Sequence, residues 1–231
     1  MAELVLYHGS DHEIERPELG IGNPRNDYGR GFYCTAEHDL ACEWACKWKR
    51  DGVVNFYSLQ TDDLCVLDLL DGEHTVLHWI AILLEHRTFS IGSDIAAEAR
   101  DYLIERFGCK VASYDVVHGY RADDSYFSYA EAFIENGLSL RKLNRALKLG
   151  KLGEQYALVS QRAMDALSFD GSEEAPCAEY YPRFKGRDIA AREEWRRMSR
   201  TKGSAKDDLY VMDILREEMG ADDARILRAL S

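Results

Sequence analysis

The sequence predicts an α+β protein in which short strands and amphipathic helices follow one another without regular alternation. Short runs of β-branched and aromatic residues are bounded by Gly, Pro, Asn and Asp, which is typical of strands. Longer segments repeat apolar residues at helical spacing. A doubly wound parallel sheet is disfavoured, because the glycines at Gly29 and Gly31 precede a strand, whereas a dinucleotide-binding glycine loop follows one.

The individual elements can be predicted in chain order. The predicted strands are residues 3–7, 31–35, 53–59, 65–70, 114–117 and 155–159, and the predicted helices are residues 36–50, 75–86, 94–107, 125–136 and 139–149. Glycine, proline and asparagine punctuate residues 11–30, which are predicted to form a loop. Leu40, Trp44 and Trp48 form one stripe of the first helix and are predicted to be core.

The C-terminal part of the chain differs from the rest in composition. Residues 155–159 are the last predicted strand, and from about residue 171 the sequence is charged and mostly helical. We therefore predict one domain over residues 1–170 and a charged helical C-terminal extension over residues 171–231, packed on the same domain.

The composition narrows the function classes. The 231 residues include 29 basic and 41 acidic side chains, for a formal net charge of −12, which disfavours broad binding to DNA or anionic lipid but permits a small anionic ligand in a local basic site. No apolar run approaches the ~18 residues of a membrane span, and no signal peptide is predicted. The six cysteines form no CxxC pair, so we expect free thiols, no metal site and a cytoplasmic location.

The first candidate site is the string YHGS at residues 7–10, where the first strand ends. The glycine lets a ligand approach the main chain closely, the serine supplies a further donor, and the histidine can hydrogen-bond a sugar hydroxyl. Taken alone, the tripeptide HGS at residues 8–10 is more typical of an ordinary polar turn after a strand.

A second string supports a functional interpretation. DYGRGFYCT occupies residues 27–35 and is followed by a helix that carries Ala41 and Ala45. Together with YHGS, this arrangement resembles the ADP-ribosyltransferase superfamily, in particular its poly(ADP-ribose) polymerase and diphtheria-toxin-like branch. It also resembles an uncharacterised bacterial family of that fold with the motifs DxGRGFYxT and G…ADD, matched here at residues 27–35 and 119–124. The resemblance covers roughly residues 4–169 and implies a split two-sheet fold with inserted helices.

The resemblance also implies roles for individual residues. His8 would contact the ribose 2′-hydroxyl of the nicotinamide side of NAD, and Gly9 with Ser10 would hold the carboxamide. Tyr33 would stack on the nicotinamide ring, opposite a second aromatic wall, and Arg30 would meet the pyrophosphate. The implied NAD-binding residues are His8, Gly9, Ser10, Arg30, Gly31 and Tyr33.

The third motif of the superfamily departs from its usual pattern here. The strand EQYAL at residues 154–158 places Gln155 where a catalytic Glu is expected. A carboxylate would stabilise the oxocarbenium-like ribose cation, whereas Gln can orient a hydroxyl but adds no charge. Glu154 faces the opposite side of a regular strand and would serve only after a one-residue shift. Asp123 or Asp124 is therefore the predicted substitute acid, with an N-cap of the following helix as the alternative role.

The predicted function follows from the resemblance. It implies an NAD-binding, bacterial ADP-ribosyltransferase-like protein that passes ADP-ribose to a macromolecular acceptor, as a toxin or conflict effector with a small neutralising protein partner. A nucleic-acid acceptor is disfavoured by the net charge without being excluded. Two alternatives stay open: a weakly active or inactive NAD-binding and protein-interaction module, favoured by Gln155, and an NAD glycohydrolase with water as acceptor.

Overall fold

The structure is a computed structural model that describes residues 3–122, 124–149, 153–200 and 208–230. The strands among these residues are β1 (Glu3–Ser10), β2 (Phe32–Cys34), β3 (Gly52–Gln60), β4 (Val66–Asp68), β5 (Val116–Tyr120), β6 (Glu154–Leu158) and β7 (Leu167–Ala175). The helices are α1 (His38–Ala45), α2 (Val76–His86), α3 (Asp94–Phe107), α4 (Asp124–Ile134), α5 (Leu140–Leu149), α6 (Gln161–Asp165), α7 (Cys177–Arg200), α8 (Val211–Arg216) and α9 (Ala224–Leu230). The predicted α+β class is confirmed.

The strands form two sheets. One sheet has the order β1-β3-β7 and is antiparallel throughout, and the other has the order β2-β6-β5-β4, in which only β4 and β5 are parallel. The main chains of the two sheets meet where Tyr7 and Thr35 exchange hydrogen bonds of 2.8 and 2.9 Å. Apolar side chains of both sheets share one core, which includes Leu6, Phe32 and Leu158.

The chain divides into two compact units. The first contains residues 1–68, 110–121 and 153–189, and therefore holds both sheets. The second contains residues 69–109, 122–152 and 190–231. Within it α2 packs against α3, and Thr75 caps α2 by accepting a hydrogen bond from the amide of Leu77. None of the described helices combines the length and apolarity that crossing a membrane requires.

Two element predictions were wrong. Residues 155–159 were predicted to be the last strand, but β7 runs from Leu167 to Ala175 along the edge of its sheet. The first helix was predicted to reach residue 50, but α1 ends at Ala45 and a tight turn follows, in which Lys49 has a φ of 57°. Trp48 consequently leaves the helical stripe and is 69% exposed rather than core.

Candidate functional site

The end of β1 is shaped by the helix that packs on it. A Cβ atom on Gly9 would lie 2.1 Å from the carbonyl oxygen of Ala41 and 2.7 Å from the amide of Ala45. Both obstacles are main-chain atoms of α1, so no side chain can move aside to make room. The glycine of the YHGS string is therefore required for close packing of α1 on β1, next to His8.

His8 is held beside the second motif. Its Nδ1 donates to the carbonyl of Tyr33 at 2.6 Å, and its ring stacks on that of Phe32 with centroids 4.4 Å apart. Burial lowers the pKa of His8, outweighing the raising effect of the carbonyl bond. The ring is thus neutral at pH 7, with its proton fixed on Nδ1, and Nε2 keeps a lone pair that can accept from a hydroxyl group.

Ser10 is engaged by a buried asparagine. The hydroxyl of Ser10 donates to the carbonyl of His12 and accepts from Nδ2 of Asn55 at 3.0 Å. Asn55 also accepts from the amide of Ile14 at 2.7 Å, so one side chain secures the segment that leaves β1. The resemblance implies that Ser10 holds a nicotinamide carboxamide. A carboxamide bound there would have to share the Ser10 hydroxyl with Asn55.

Tyr33 anchors the turn that begins its own motif. Its hydroxyl donates to the carbonyl of Gly29 at 2.7 Å and accepts from the amide of Tyr28 at 3.0 Å. Gly29 has a φ of 78°, a conformation that side chains other than glycine rarely adopt, which explains the glycine at this point of the turn. The ring of the buried Tyr28 lies parallel to that of Tyr33, with centroids 6.4 Å apart, and its hydroxyl donates to the carbonyl of Tyr120 at 2.6 Å.

Gln155 shares a face of the sheet with Tyr33. Tyr33 pairs with Ala157 across β2 and β6, and paired residues project to the same face, as does Gln155 two positions along. Gln155 is only 4% exposed, and its Nε2 donates to Oδ2 of Asp27 at 2.7 Å and to the carbonyl of Tyr120 at 3.4 Å. His8, Asp27, Tyr33 and Gln155, linked through the main chain and the turn at residues 27–29, are called the motif cluster below.

Glu154 lies on the opposite face of β6. Its Oε2 is 3.2 Å from Nε2 of His118, whose Nδ1 is 3.0 Å from Oδ1 of Asp68, and the His118 ring stacks on Tyr156 with centroids 4.2 Å apart. These four residues are called the surface cluster below. The one-residue shift that would bring Glu154 to the face of Tyr33 is absent from the register of β6 with β5.

The remaining predicted site residues are Arg30, Gly31, Asp123 and Asp124. Arg30 is exposed. A Cβ atom on Gly31 would lie 2.8 Å from the carbonyl oxygen of Leu158, so Gly31 permits close contact with β6. Asp123 lies outside the described residues; α4 begins at Asp124, whose side chain also lies outside them. The role of either acid therefore stays a prediction.

No role was predicted from the sequence for three residues of this region: Asp27, Tyr28 and Asn55. Asp27 and Tyr28 stood at the start of the quoted string DYGRGFYCT without a role. Asn55 interrupts an otherwise apolar strand, VVNFY at residues 53–57, and an amide at such a position signals a buried hydrogen-bonding function.

One group of possible metal ligands occurs among the described side chains. It consists of His38 and Cys42, one turn apart on α1, and Glu173 of β7, with ligand atoms within 4.8 Å of one another. His38 Nε2 already contacts Glu173 Oε1 at 2.5 Å, and burial raises the pKa of the Cys42 thiol to about 11. A metal would have to displace both the hydrogen bond and the thiol proton.

Comparison with known proteins places the chain in a family. A family model described as "Protein of unknown function (DUF3990)" matches residues 4–169. The chain belongs to the DUF3990 family. The match contains β2 to β6, all of β1 except Glu3, and the whole motif cluster. No curated protein and no solved structure matches the chain. Membership of DUF3990 agrees with the expectation of an uncharacterised family and assigns no activity.

Proposed function

We propose that this DUF3990 protein binds NAD at the motif cluster and transfers ADP-ribose from it to a macromolecular acceptor. The observation that carries the proposal is the 2.6 Å hydrogen bond from His8 to the carbonyl of Tyr33. It joins the two strings, YHGS and DYGRGFYCT, on which the resemblance to ADP-ribosyltransferases rests. If either string had arisen by chance, the two strings would not be expected to lie next to each other in the fold.

The state of His8 supports a ribose contact. A protonated imidazole has no acceptor, but the neutral ring, with Nδ1–H held by Tyr33, offers Nε2 to a ribose hydroxyl. Burial keeps the ring neutral and the carbonyl fixes its orientation, so the ring is prepared for a hydroxyl donor before the ligand arrives.

Tyr33 and Gln155 support the reacting end of the ligand. The ring of Tyr33 is fixed at its hydroxyl by the turn at residues 27–29, which limits the entropy lost when a flat nicotinamide stacks on it. Gln155 has its Nε2 engaged by Asp27, which directs Oε1 as the remaining acceptor for a ribose hydroxyl.

The reaction would proceed as a displacement at the ribose carbon C1′. The bond from C1′ to nicotinamide breaks and its electron pair leaves with neutral nicotinamide. An acceptor nucleophile then bonds to C1′ and releases its proton. Groups that hold the ribose hydroxyls orient the developing cation, and acceptor oxygens directed at it lower its energy. A cytoplasmic toxin or conflict effector restrained by a small protein partner is the setting that we propose for this activity.

One observation favours a second candidate function. Gln155 is neutral, buried and hydrogen-bonded, so it supplies no formal charge to the cation. An NAD-binding module that turns over slowly or not at all, or that uses water as acceptor, would have the same fold.

The test uses NAD labelled separately in its nicotinamide and adenine parts. We expect the purified chain to release nicotinamide and to leave the adenine label on a protein acceptor. His8→Asn should slow nicotinamide release by about 100-fold, the order expected for one lost transition-state contact. His118→Asn, in the surface cluster, should leave the rate unchanged. Release without label transfer would indicate hydrolysis; equal loss in both variants would contradict the assigned site.

A further inference from the structure

We propose that Asp27 and Gln155 act as a relay, in which the Asp27 carboxylate orients and polarises the Gln155 amide so that it can replace the missing catalytic glutamate. This inference rests on the proposed function. In it Gln155 contacts the ribose, and Asp27 is a positioning residue that acts through Gln155. The two residues are 128 positions apart in the chain, and Nε2 of Gln155 donates to Oδ2 of Asp27 at 2.7 Å.

The burial of the pair argues for a directed interaction. Asp27 is 5% exposed and Gln155 is 4% exposed. Transfer of a carboxylate away from water costs free energy unless hydrogen-bond donors compensate it. A neutral acceptor such as asparagine at position 27 would be enough to bond Nε2 of Gln155, so the buried charge of Asp27 calls for a further role. A charge-assisted hydrogen bond of 2.7 Å is also stronger than a neutral one, so the amide is held in a single orientation.

The orientation has a chemical consequence. With both Nε2–H contacts taken by Asp27 and by the carbonyl of Tyr120, the amide cannot rotate by 180° without losing both bonds. Oε1 is therefore the atom left for the ligand. Because hydrogen bonds polarise one another in a low-dielectric surrounding, donation to a carboxylate places additional negative charge on Oε1. An oxygen polarised in this way approaches the electrostatic role of a carboxylate toward the ribose cation.

The turn that carries Asp27 is itself fixed to the site. The Tyr33 hydroxyl bonds the turn at Tyr28 and Gly29, and the Tyr28 hydroxyl bonds Tyr120, whose carbonyl also accepts from Gln155. The proposed stacking residue and the proposed relay thus share one hydrogen-bonded turn. This arrangement is the second, independent reason to place Asp27 in the machinery rather than in the general core.

The relay changes what Gln155→Glu should do. The departure from the superfamily pattern suggests on its own that restoring Glu would add a useful charge and accelerate NAD hydrolysis. In the structure a new carboxylate would lie 2.7 Å from that of Asp27. Two buried carboxylates at this distance do not both ionise, so one would take up a proton and the single substitution would gain little.

The test separates the relay from the proposed function. Wild type, Asp27→Asn, Gln155→Glu and the double exchange Asp27→Asn/Gln155→Glu are compared for NAD binding by calorimetry, for nicotinamide release and for thermal unfolding. Asn keeps an acceptor oxygen for Gln155 but removes the charge, so Asp27→Asn should lower kcat about 30-fold, with the Kd for NAD changed less than about 3-fold and unfolding unchanged. The double exchange restores an amide–carboxylate pair and should recover at least about 10-fold of the lost kcat.

Asp115→Asn is the matched control, because Asp115 is another buried carboxylate of the same unit, bonded to Ser160 and to the amide of Cys65, outside the motif cluster. Its kcat should equal that of wild type. The relay is overturned if Asp27→Asn retains wild-type kcat, or if wild type binds NAD and releases no nicotinamide. A wild-type chain that does not bind NAD contradicts the proposed function itself. Should Asp27→Asn fail to fold, the double exchange decides, since a folded double variant without turnover also overturns the relay.

Discussion

The motif cluster and the surface cluster both combine a histidine with acidic or amide groups, and their residues Gln155 and Glu154 project from opposite faces of β6. In the motif cluster a neutral histidine bonds a carbonyl, and a buried amide bonds a buried carboxylate. In the surface cluster His118 lies between two carboxylates whose side chains are 41% and 53% exposed. Contacts of a histidine with carboxylates this exposed contribute little to stability. The acids distinguish the two clusters, because Asp27 is buried whereas Asp68 and Glu154 are open to solvent, while the rings of His8 and His118 are both partly buried.

The largest changes in stability and in NAD affinity are expected at two adjacent aromatic residues of β2. Phe32 lies in the core shared by both sheets, whereas Tyr33 projects to the face of Gln155. Phe32→Ala should lower the free energy of unfolding by about 3 kcal/mol or more. Tyr33→Ala should instead weaken NAD binding by about 1 kcal/mol or more, through loss of the stacked ring. Calorimetry and denaturant titration of both variants measure the two effects.

Tyr33→Phe serves as the control for this pair, because it retains the ring and removes only the hydroxyl that holds the turn at residues 27–29. Its NAD affinity should lie between those of wild type and Tyr33→Ala. Equal NAD affinity for Tyr33→Ala and wild type would remove the stacking role from the account.

The next effect concerns the packing that positions His8. Gly9→Ala introduces a Cβ atom against main-chain atoms of α1, at 2.1 Å from the Ala41 carbonyl oxygen, and should cost about 3 kcal/mol of stability. Gly186→Ala is the matched control, since no atom lies within 4 Å of its added Cβ and it stands inside α7; it should stabilise by about 0.5 kcal/mol. Equal unfolding midpoints for the two variants would show that α1 does not determine the position of His8.

The smallest effect is the pH dependence that His8 contributes. Its pKa is lowered in the folded protein, so between its ordinary value of 6.5 and the lower folded value the unfolded chain binds a proton that the folded chain does not. Stability from this group is therefore constant above pH 6.5 and falls as the pH drops below it, by up to about 1.4 kcal/mol per pH unit. Between pH 7.5 and pH 5.5, wild type should therefore lose more of its free energy of unfolding than His8→Asn, which has no imidazole at this position. The same difference at both pH values would mean that His8 titrates normally.

Much of the architecture could be predicted because local chemistry determines it. Helix α3 matches its predicted bounds of residues 94–107, since Ser93 caps it and Gly108 ends it. Strand β7 could not be predicted, because its segment DGSEE at residues 170–174 has the polarity of a loop. It is an edge strand, and charged residues at sheet edges are common because they discourage pairing with other chains.

The candidate site could be predicted only in part. Strand alternation correctly placed Phe32 in the core and Tyr33 on the other face. The contact between Asp27 and Gln155 lies beyond any periodicity argument, since it depends on how a loop and a distant strand meet in the fold. Asp123 and Asp124 stay predicted substitute acids, and among the described side chains Gln155 bonds that of Asp27.

Nitrogen-detected NMR of the histidine rings shows whether NAD binds beside the neutral ring of His8. At pH 7, without NAD, we expect a neutral His8 ring protonated on Nδ1, as its bond to Tyr33 requires. Addition of NAD should shift the Nε2 resonance of His8, because Nε2 accepts a hydrogen bond from a ribose hydroxyl. The resonances of His118 should not change. An NAD-dependent shift at His118 with none at His8, or no shift at either ring at saturating NAD, would contradict NAD binding at His8.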